Sequence, residues 1–397
     1  MINDALFYLW CFFQFAIGFN LVFPLLLFLL WKVTRQELSS KQVLNQETDY
    51  AIIVTAYEYI DLLPKVVDSI FSLNYQNYHV YIVADNCAEN SVNIKDDRVT
   101  VLYPSVVLKS NTKSHAYAMD HFIRKHDYLT IIDSDNLVDK DYLNNLNQAV
   151  EAGYHAVQGL RAPKNLDTTI SALDAARDIY YHFYDGKLLF ESGSSATLSG
   201  SGMAFKVALY RNFLESNSVT GAGFDKVLQF WLLKNNQRIS FVENAIVYDE
   251  KTSNSQQLVQ QRARWINTWF KYSKFGFVLL FKGILSLSIN RILFGVVLLR
   301  PPLFIFLLLS MLCIFINLMT WNILPMGLWL ISFMLFIATF WLALAHTNTD
   351  KRIYDSLRSI PKFMCLQVLS LIKSRRGNEI SVSTKHGKEP DGDISIK

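Results

Sequence analysis

Asp133-Ser134-Asp135 follows the apolar run Leu129-Thr130-Ile131-Ile132, so two carboxylates stand one residue apart where a buried strand would end. In extended backbone, residues i and i+2 point to the same side, and both carboxylates can face one cation. Oxygen ligands of this kind suit Mg2+ or Mn2+, which keep phosphates or waters in their remaining positions. A polar strand-to-loop turn uses the same residue types, so the pair by itself leaves two readings open.

The elements that must hold this pair come from residues 48–250, long enough for one sizeable domain of short apolar strands alternating with amphipathic helices. The fold class is α/β. Tyr50–Tyr57 reads as a buried strand and Leu62–Leu73 as a helix; further strands follow at Val80–Asp85, Val99–Tyr103, Leu129–Asp133 and Ala245–Tyr248. Parallel sheets bind ligands beyond the carboxyl ends of their strands. Three such ends carry polar groups here: Tyr57-Glu58, Asp85-Asn86 and Asp133-Ser134-Asp135. A nucleotide-sized site is implied. The Gly-rich phosphate loops of nucleoside triphosphate and dinucleotide sites are missing, so a carboxylate-held cation would have to neutralise the phosphates. That combination suits a nucleoside-diphosphate sugar whose diphosphate is the leaving group.

The 397-residue chain is 51% hydrophobic and 14% aromatic, with a mean hydropathy of +0.18, and its apolar residues gather at the two ends. No charge occurs from Ala5 to Trp31, a run that meets the roughly 20 residues a bilayer-crossing helix needs. It lacks the small-residue cleavage site of a signal peptide, so residues 1–33 are expected to form a retained transmembrane anchor. Pro301–Thr349 is also charge-free, with a polar break at Asn317–Pro325, and fits two spans within residues 301–348. Asp4 precedes the first span whereas Lys32, Arg35 and Lys41 follow it; Lys351, Arg352, Arg358, Lys362, Lys373, Arg375 and Arg376 follow the last. Basic flanks stay on the cytoplasmic side, which predicts a multi-pass cell-membrane protein with its α/β domain and its tail, residues 349–397, in the cytoplasm. Lys282 and Arg291 interrupt Phe275–Leu299, so residues 251–300 are expected to be amphipathic helices on the membrane surface. The tail beyond Gly377 is polar and reads as disordered.

The net charge of +4 is accounted for by residues beside the membrane, and no basic patch with interleaved aromatics points to nucleic acid. Cys11, Cys87, Cys313 and Cys365 lack metal-ligand spacing and read as free thiols. His115, His121 and His126 are expected on the surface or in packing. His346 ends the last span as an interfacial residue, and Asp249-Glu250 could support either the following helix or an acceptor.

Taken together, these residues resemble the membrane-bound family 2 glycosyltransferases of GT-A fold, which include hyaluronan, chitin, cellulose and poly-N-acetylglucosamine synthases. The likeness covers roughly residues 48–320. It implies that Thr55-Ala56-Tyr57-Glu58 meets the uracil, that Asp85 contacts the base, and that Asn111-Thr112-Lys113-Ser114 brings Lys113 near it. Asp133-Ser134-Asp135 corresponds to the family's Asp-x-Asp, with Asp133 beside the nucleotide and Asp135 holding Mg2+ or Mn2+. Ser199-Gly200-Ser201-Gly202 corresponds to its acceptor-side glycine turn, with Gly200 and Ser201 toward the acceptor. Gln261-Arg262-Ala263-Arg264-Trp265 corresponds to its Gln-x-x-Arg-Trp. On a helix Gln261, Arg264 and Trp265 share one face, which by this resemblance would present Arg264 to the departing diphosphate and Trp265 to the sugar. A snorkelling basic and aromatic belt is the competing reading of that segment.

The family's Glu-Asp base is represented here by Gly221-Ala222-Gly223-Phe224-Asp225, without the Glu. Asp225 supplies a carboxylate for general-base work, and it also suits the cap of an apolar helix at Lys226–Leu233. The resulting expectation is an inverting transfer from a UDP-sugar to a growing β-linked polysaccharide, processive and coupled to export. Three spans make a thin wall for a sugar channel, which calls for self-assembly, an export partner, or a non-processive reaction. The alternative is therefore a ceramide glucosyltransferase-like enzyme that adds one sugar to a membrane lipid; a catalytically dead scaffold or sugar-nucleotide sensor is the reading from another class.

Overall fold

The computed structural model describes residues 2–35, 47–219 and 221–374. Lys41, Arg375, Arg376 and the polar tail beyond Gly377 lie outside the described residues.

One eight-stranded sheet organises the α/β part, in the order β3-β2-β1-β4-β7-β6-β8-β5. Its strands are β1 (Tyr50–Tyr57), β2 (Tyr78–Asp85), β3 (Val99–Leu102), β4 (Tyr128–Asp133), β5 (Leu137–Val138), β6 (Ala156–Pro163), β7 (Met203–Lys206) and β8 (Ile239–Asp249). The helices are α1 (Ile2–Thr34), α2 (Leu63–Phe71), α3 (Asn111–Asp120), α4 (Tyr142–Glu151), α5 (Thr169–Tyr181), α6 (Leu189–Glu191), α7 (Val207–Ser216) and α8 (Phe224–Lys234). They continue as α9 (Ser255–Tyr272), α10 (Lys274–Leu285), α11 (Ile289–Leu299), α12 (Leu303–Met319), α13 (Ile323–His346), α14 (Lys351–Ser356) and α15 (Ile360–Lys373).

β1 runs parallel to both β2 and β4, pairing Tyr57 with Asp85 and Thr55 with Asp133, so the three polar strand ends lie side by side. Their near-continuous apolar sequence follows from burial on both faces. Ile53, Tyr81, Val83 and Ile131 join the core on one side, while Ile52, Val54, Val80 and Ile82 pack with Val66 and Ile70 of α2 on the other. Burying Leu63, Val66, Val67 and Ile70 stabilises the seat of α2 by about 1.5–3 kcal/mol per side chain.

The sheet is mixed rather than wholly parallel. β7 lies antiparallel between β4 and β6, and β5 antiparallel to β8. The sequence reading did not find β5, β6 or β7, and it took only the last part of β8. Two-residue β5 and four-residue β7 carry too little alternation to signal a strand, and they exist because neighbouring strands pair with them.

α5 passes without a break into a π-helical segment, His182–Leu188. Such wide turns occur mostly at functional sites, and this one places His182, Asp185 and Gly186 in the wall of the central cavity.

Among the described residues two helices, Ala5–Thr34 and Ile323–His346, are long and apolar enough to cross a membrane, so residues 301–348 hold one such helix and not the two expected. A third crossing would be the pair Ile289–Leu299 and Leu303–Met319, which is bent by 70°. α10 and α11 have 12 and 11 residues, each about 17 Å long and short of a hydrocarbon core of about 30 Å. They form a tight hairpin because Gly276 and Gly295 face each other. A Cβ on Gly276 would lie 2.8 Å from the Gly295 carbonyl oxygen. α1 packs on α12 and α13, and α15 turns back onto α9.

Candidate active site

A single cavity of about 1660 Å³ begins at the carboxyl ends of β1, β2 and β4 and reaches the helices α12, α13 and α15. Tyr57, Asp85, Asp133, Asp135, Gly200, Asp225, Gln261, Arg264 and Trp265 all line it. Residues more than 200 apart in sequence thus share one space because β1, β2 and β4 are in register and α9 also lines the cavity.

The Asp133-Ser134-Asp135 turn is held from behind. Ser201, fully buried, accepts a hydrogen bond from the Asp133 amide at 3.1 Å. With the Asn136 amide group turned toward the carboxylates, its nitrogen donates to Asp135 at 2.9 Å and to Asp249 at 3.2 Å, and its oxygen accepts from the Ser201 hydroxyl at 2.8 Å. Gln158 fixes the Ser199–Gly202 turn, accepting from the Ser199 amide at 2.9 Å and donating to the Ser201 carbonyl at 3.1 Å. Ser201 therefore does not face the acceptor side as expected. Its hydroxyl is engaged in holding the aspartate turn, while Gly200 and Ser199 form the cavity wall.

Asp85 is buried and spends both carboxylate oxygens on the backbone, accepting from Leu108 at 2.9 Å and Lys109 at 2.8 Å. This brings Lys109 into the cavity wall. Lys113 is exposed on α3 and lies outside that wall, so Lys109 takes the position expected of Lys113. Glu58, at φ 65°, also lies outside it and accepts from the Asn86 amide at 3.0 Å.

Asp225 sits in the first turn of α8, and the N-cap is Gly223 at φ 94° rather than Asp225 itself. Lys226 lies 3.2 Å from the Asp225 carboxylate. Gly223 is required twice over: its backbone is left-handed, and a Cβ there would meet Thr268 Cγ2 at 2.5 Å and Tyr272 Cε2 at 2.8 Å on α9.

The cavity wall also carries a charge network whose pairings the sequence does not display. Arg161 lies 2.6 Å from Asp249, and Lys251 lies 2.6 Å from Asp249 and 2.5 Å from Asp178. Burial works against the Asp249 charge, but Arg161 and Lys251 outweigh it and hold the carboxyl down to about 2. Burial also opposes the Arg161 charge, and Asp249, Asp133 and Asp178 together keep it firmly protonated. Asp249 pairs with Arg161 and Glu250 with Lys164 at 3.0 Å, neither partner lying on α9, and both carboxylates line the cavity. Arg262 pairs with buried Asp174, and Arg300 with buried Asp185. Burial pushes the neutral His182 ring down to about 4. In sequence Arg161, Asp249 and Lys251 are isolated charges on strands or in a loop and Asp174, Asp178 and Arg262 single charges within helices, and nothing local pairs them.

His115, His121 and His126, read from sequence as surface or packing residues, have separate partners. His115 meets the Tyr210 hydroxyl at 2.7 Å, His121 the Tyr117 carbonyl at 2.7 Å, and His126 Asp49 at 2.7 Å.

A family profile described as glycosyltransferase like family 2 matches residues 48–268. The chain belongs to that family. This glycosyltransferase is similar over its fold to the mannosyltransferase PcManGT from Pyrobaculum calidifontis in complex with GDP-Man and Mn2+. The TM-score is 0.54 at 12% identity, covering 92% of this chain and 98% of that one. That likeness shows a shared GT-A-type fold. The 1–349 portion of S. aureus TarS in complex with UDP-GlcNAc aligns at a TM-score of 0.39 and 13% identity, covering 83% and 90% of the two chains. In sequence, glycosyltransferase GlyG of Streptococcus pneumoniae is 29% identical over 107 residues. That match takes in 25% of this chain and 35% of the relative, so the chain spans about a third of that protein.

Proposed function

We propose that this glycosyltransferase moves a hexose from a nucleoside-diphosphate sugar, with UDP-sugars as the first donor class, to an acceptor hydroxyl presented at the cytoplasmic face of the cell membrane. The observation that carries this reading is the continuity of the cavity, which joins Asp133, Asp135 and Asp225 to the apolar walls of α12 and α13.

The nucleotide would lie against Tyr57 and the loop pinned by Asp85, with its diphosphate toward Asp133 and Asp135. Among the described residues no group of three or more His, Cys, Asp or Glu is placed to hold a metal ion, and the donors proposed here are the two carboxylates of Asp133 and Asp135. That donor set fits Mg2+ or Mn2+, whose other positions are taken by phosphates and waters. When bound, the cation neutralises charge developing on the leaving nucleoside diphosphate. Asp225 removes the acceptor proton as its oxygen attacks the anomeric carbon from the face opposite the diphosphate, which inverts the configuration. Arg264, half-buried, and Gln261 close the phosphate side, and Trp265, with Arg177 and Arg262 stacked on its ring at 4.7 and 4.0 Å, would meet the sugar by its exposed edge.

Between the two acceptors, the apolar walls favour a lipid-borne one, because a growing β-linked polysaccharide exposes hydroxyls along its length and needs polar lining. Full-length protein should release nucleotide from one of UDP-glucose, UDP-N-acetylglucosamine, UDP-glucuronate or GDP-mannose in an Mn2+-dependent way. GDP-mannose is included because the structural relative holds that donor. Labelled sugar should then appear in organic-extractable lipid; long water-soluble chains would restore the polymer reading, and no release with any donor would sink both.

A further inference from the structure

α8, which carries Asp225, grips the peptide that leads into the support of the aspartate turn. Residues 195–199 have no regular secondary structure, so their place is set by individual hydrogen bonds. At buried Leu198 both backbone groups are held from α8: the amide donates to Gln229 Oε1 at 3.2 Å, and the carbonyl accepts from Lys226 Nζ at 3.3 Å. Lys226 and Gln229 stand at i and i+3 and share one helical face. The Leu198 contact decides how the buried Gln229 amide is turned. Its Nε2 has no hydrogen-bond partner among the described residues, and the opposite orientation would set two donors against each other.

The same Lys226 ammonium lies 3.2 Å from the Asp225 carboxylate. Side chains at i and i+1 of a helix do not face each other, and the turn of Lys226 toward the Leu198 carbonyl brings its ammonium beside the carboxylate. From Leu198 the chain runs directly into Ser199–Gly202. Gln158 holds Ser199 and Ser201, the Ser201 hydroxyl holds the Asp133 amide, and Gly202 donates to the Ile131 carbonyl at 2.9 Å. A short, continuously hydrogen-bonded stretch thus joins the anchor of Asp225 to the anchor of Asp133-Ser134-Asp135.

Resting on the glycosyltransferase reading above, we infer that Lys226 and Gln229 are positioning residues: by clamping Leu198 they fix Asp225 relative to the aspartate pair that faces the diphosphate. Neither has to touch a substrate. An in-line displacement needs the attacking oxygen and the leaving group on opposite sides of the anomeric carbon, so the base and the leaving-group anchor must share one rigid frame. The Leu198–Gly202 stretch supplies that frame across two elements, α8 and β4, that are far apart in sequence.

The test separates transfer from binding. Full-length protein in native membranes receives Mn2+ and whichever labelled donor of the four above gives nucleotide release, and nucleotide affinity is titrated on the purified protein. Lys226→Met and Gln229→Met should each lower kcat for sugar transfer by about ten- to a hundredfold, the scale of loss that a misplacement of about 1 Å brings, with Mn2+-dependent nucleotide affinity unchanged. Lys226→Arg, which keeps the cation, should recover most of the rate. The double methionine variant should lose no more than the larger single loss, because both side chains hold one peptide. Transfer at the wild-type rate in either methionine variant, nucleotide affinity falling in step with transfer, no recovery with arginine, or a double loss equal to the product of the single ones would each overturn the inference. No nucleotide release by the wild-type protein with any donor sinks the glycosyltransferase reading and this inference with it, whereas wild-type transfer beside any of the overturning results sinks this inference alone.

Discussion

Asp225 and Asp249 show how one residue type serves two ends. Asp225 lies at the cavity surface on a helical first turn, where a carboxylate can take a proton from an acceptor hydroxyl. Asp225→Asn should lower the transfer rate by about a hundred- to ten-thousand-fold, with nucleotide affinity unchanged, in a steady-state assay with separate binding titration. Asp249 is instead a strut. Its carboxyl is held down to about 2 in the fold, against about 4 in an unfolded chain, because Arg161 and Lys251 outweigh its burial. A depressed value of this kind adds stability above about pH 4 and loses it as the pH falls toward the folded value. Thermal melts should therefore show a wild-type midpoint that drops between pH 4 and pH 2, and Asp249→Asn should be less stable at neutral pH yet flatter over that interval. Asp133 and Asp135 were legible in sequence as a carboxylate pair at a strand end, and Asp225 as a candidate base through the family resemblance. Asp249 was legible only as an acidic residue after a strand, since the arginine that gives it meaning lies 88 positions away.

At the scale of elements, the position of Asp225 depends on how α8 meets α9. Gly223 permits that contact, and a methyl group there would collide with Thr268 and Tyr272. Gly223→Ala should destabilise the protein by about 1–3 kcal/mol and depress kcat together with it, read from denaturant midpoints and turnover. Gly221→Ala serves as the contrast: φ is +77° but nothing lies within 4 Å of its Cβ, so it should keep the α8–α9 contact and most of the turnover. The strands β1, β2 and β4 were readable because they are largely buried, and buried parallel strands are apolar throughout, whereas the half-buried edge strand β3 was readable from its β-branched run Val99-Thr100-Val101. β5 and β7 were not, being two and four residues long and defined by their partners. The π-helical stretch at His182–Leu188 has no periodic signature of its own and was invisible for the same reason.

Over the whole molecule, α15 is the piece whose role no local pattern announces. It crosses back over α9 and supplies Ile360, Met364 and Gln367 to the cavity, closing its far side. Ending the chain after Ser356 should leave Mn2+-dependent nucleotide binding in place. It should lower transfer to a membrane-borne acceptor by at least about tenfold, since binding energy from remote parts of a substrate is what positions its reacting end. Equal loss of nucleotide binding and transfer would instead make α15 a support for α9.

What the sequence determined by itself is local: the aspartate pair at a strand end, the Gln-Arg-Trp face of a helix, and apolar runs read as three spans, of which two, Ala5–Thr34 and Ile323–His346, form single helices long and apolar enough to cross a membrane. Each depends on residues close together in the chain, where periodicity and spacing are readable. Only the tertiary structure decided that Ser201 supports the aspartate turn instead of facing an acceptor, that Lys109 stands where Lys113 was expected, and that Arg161, Arg177, Arg262 and Arg300 converge on one cavity. Those outcomes are set by register between strands and by helices crossing at long range, and a guanidinium's partner there is chosen by burial, which a single sequence does not display.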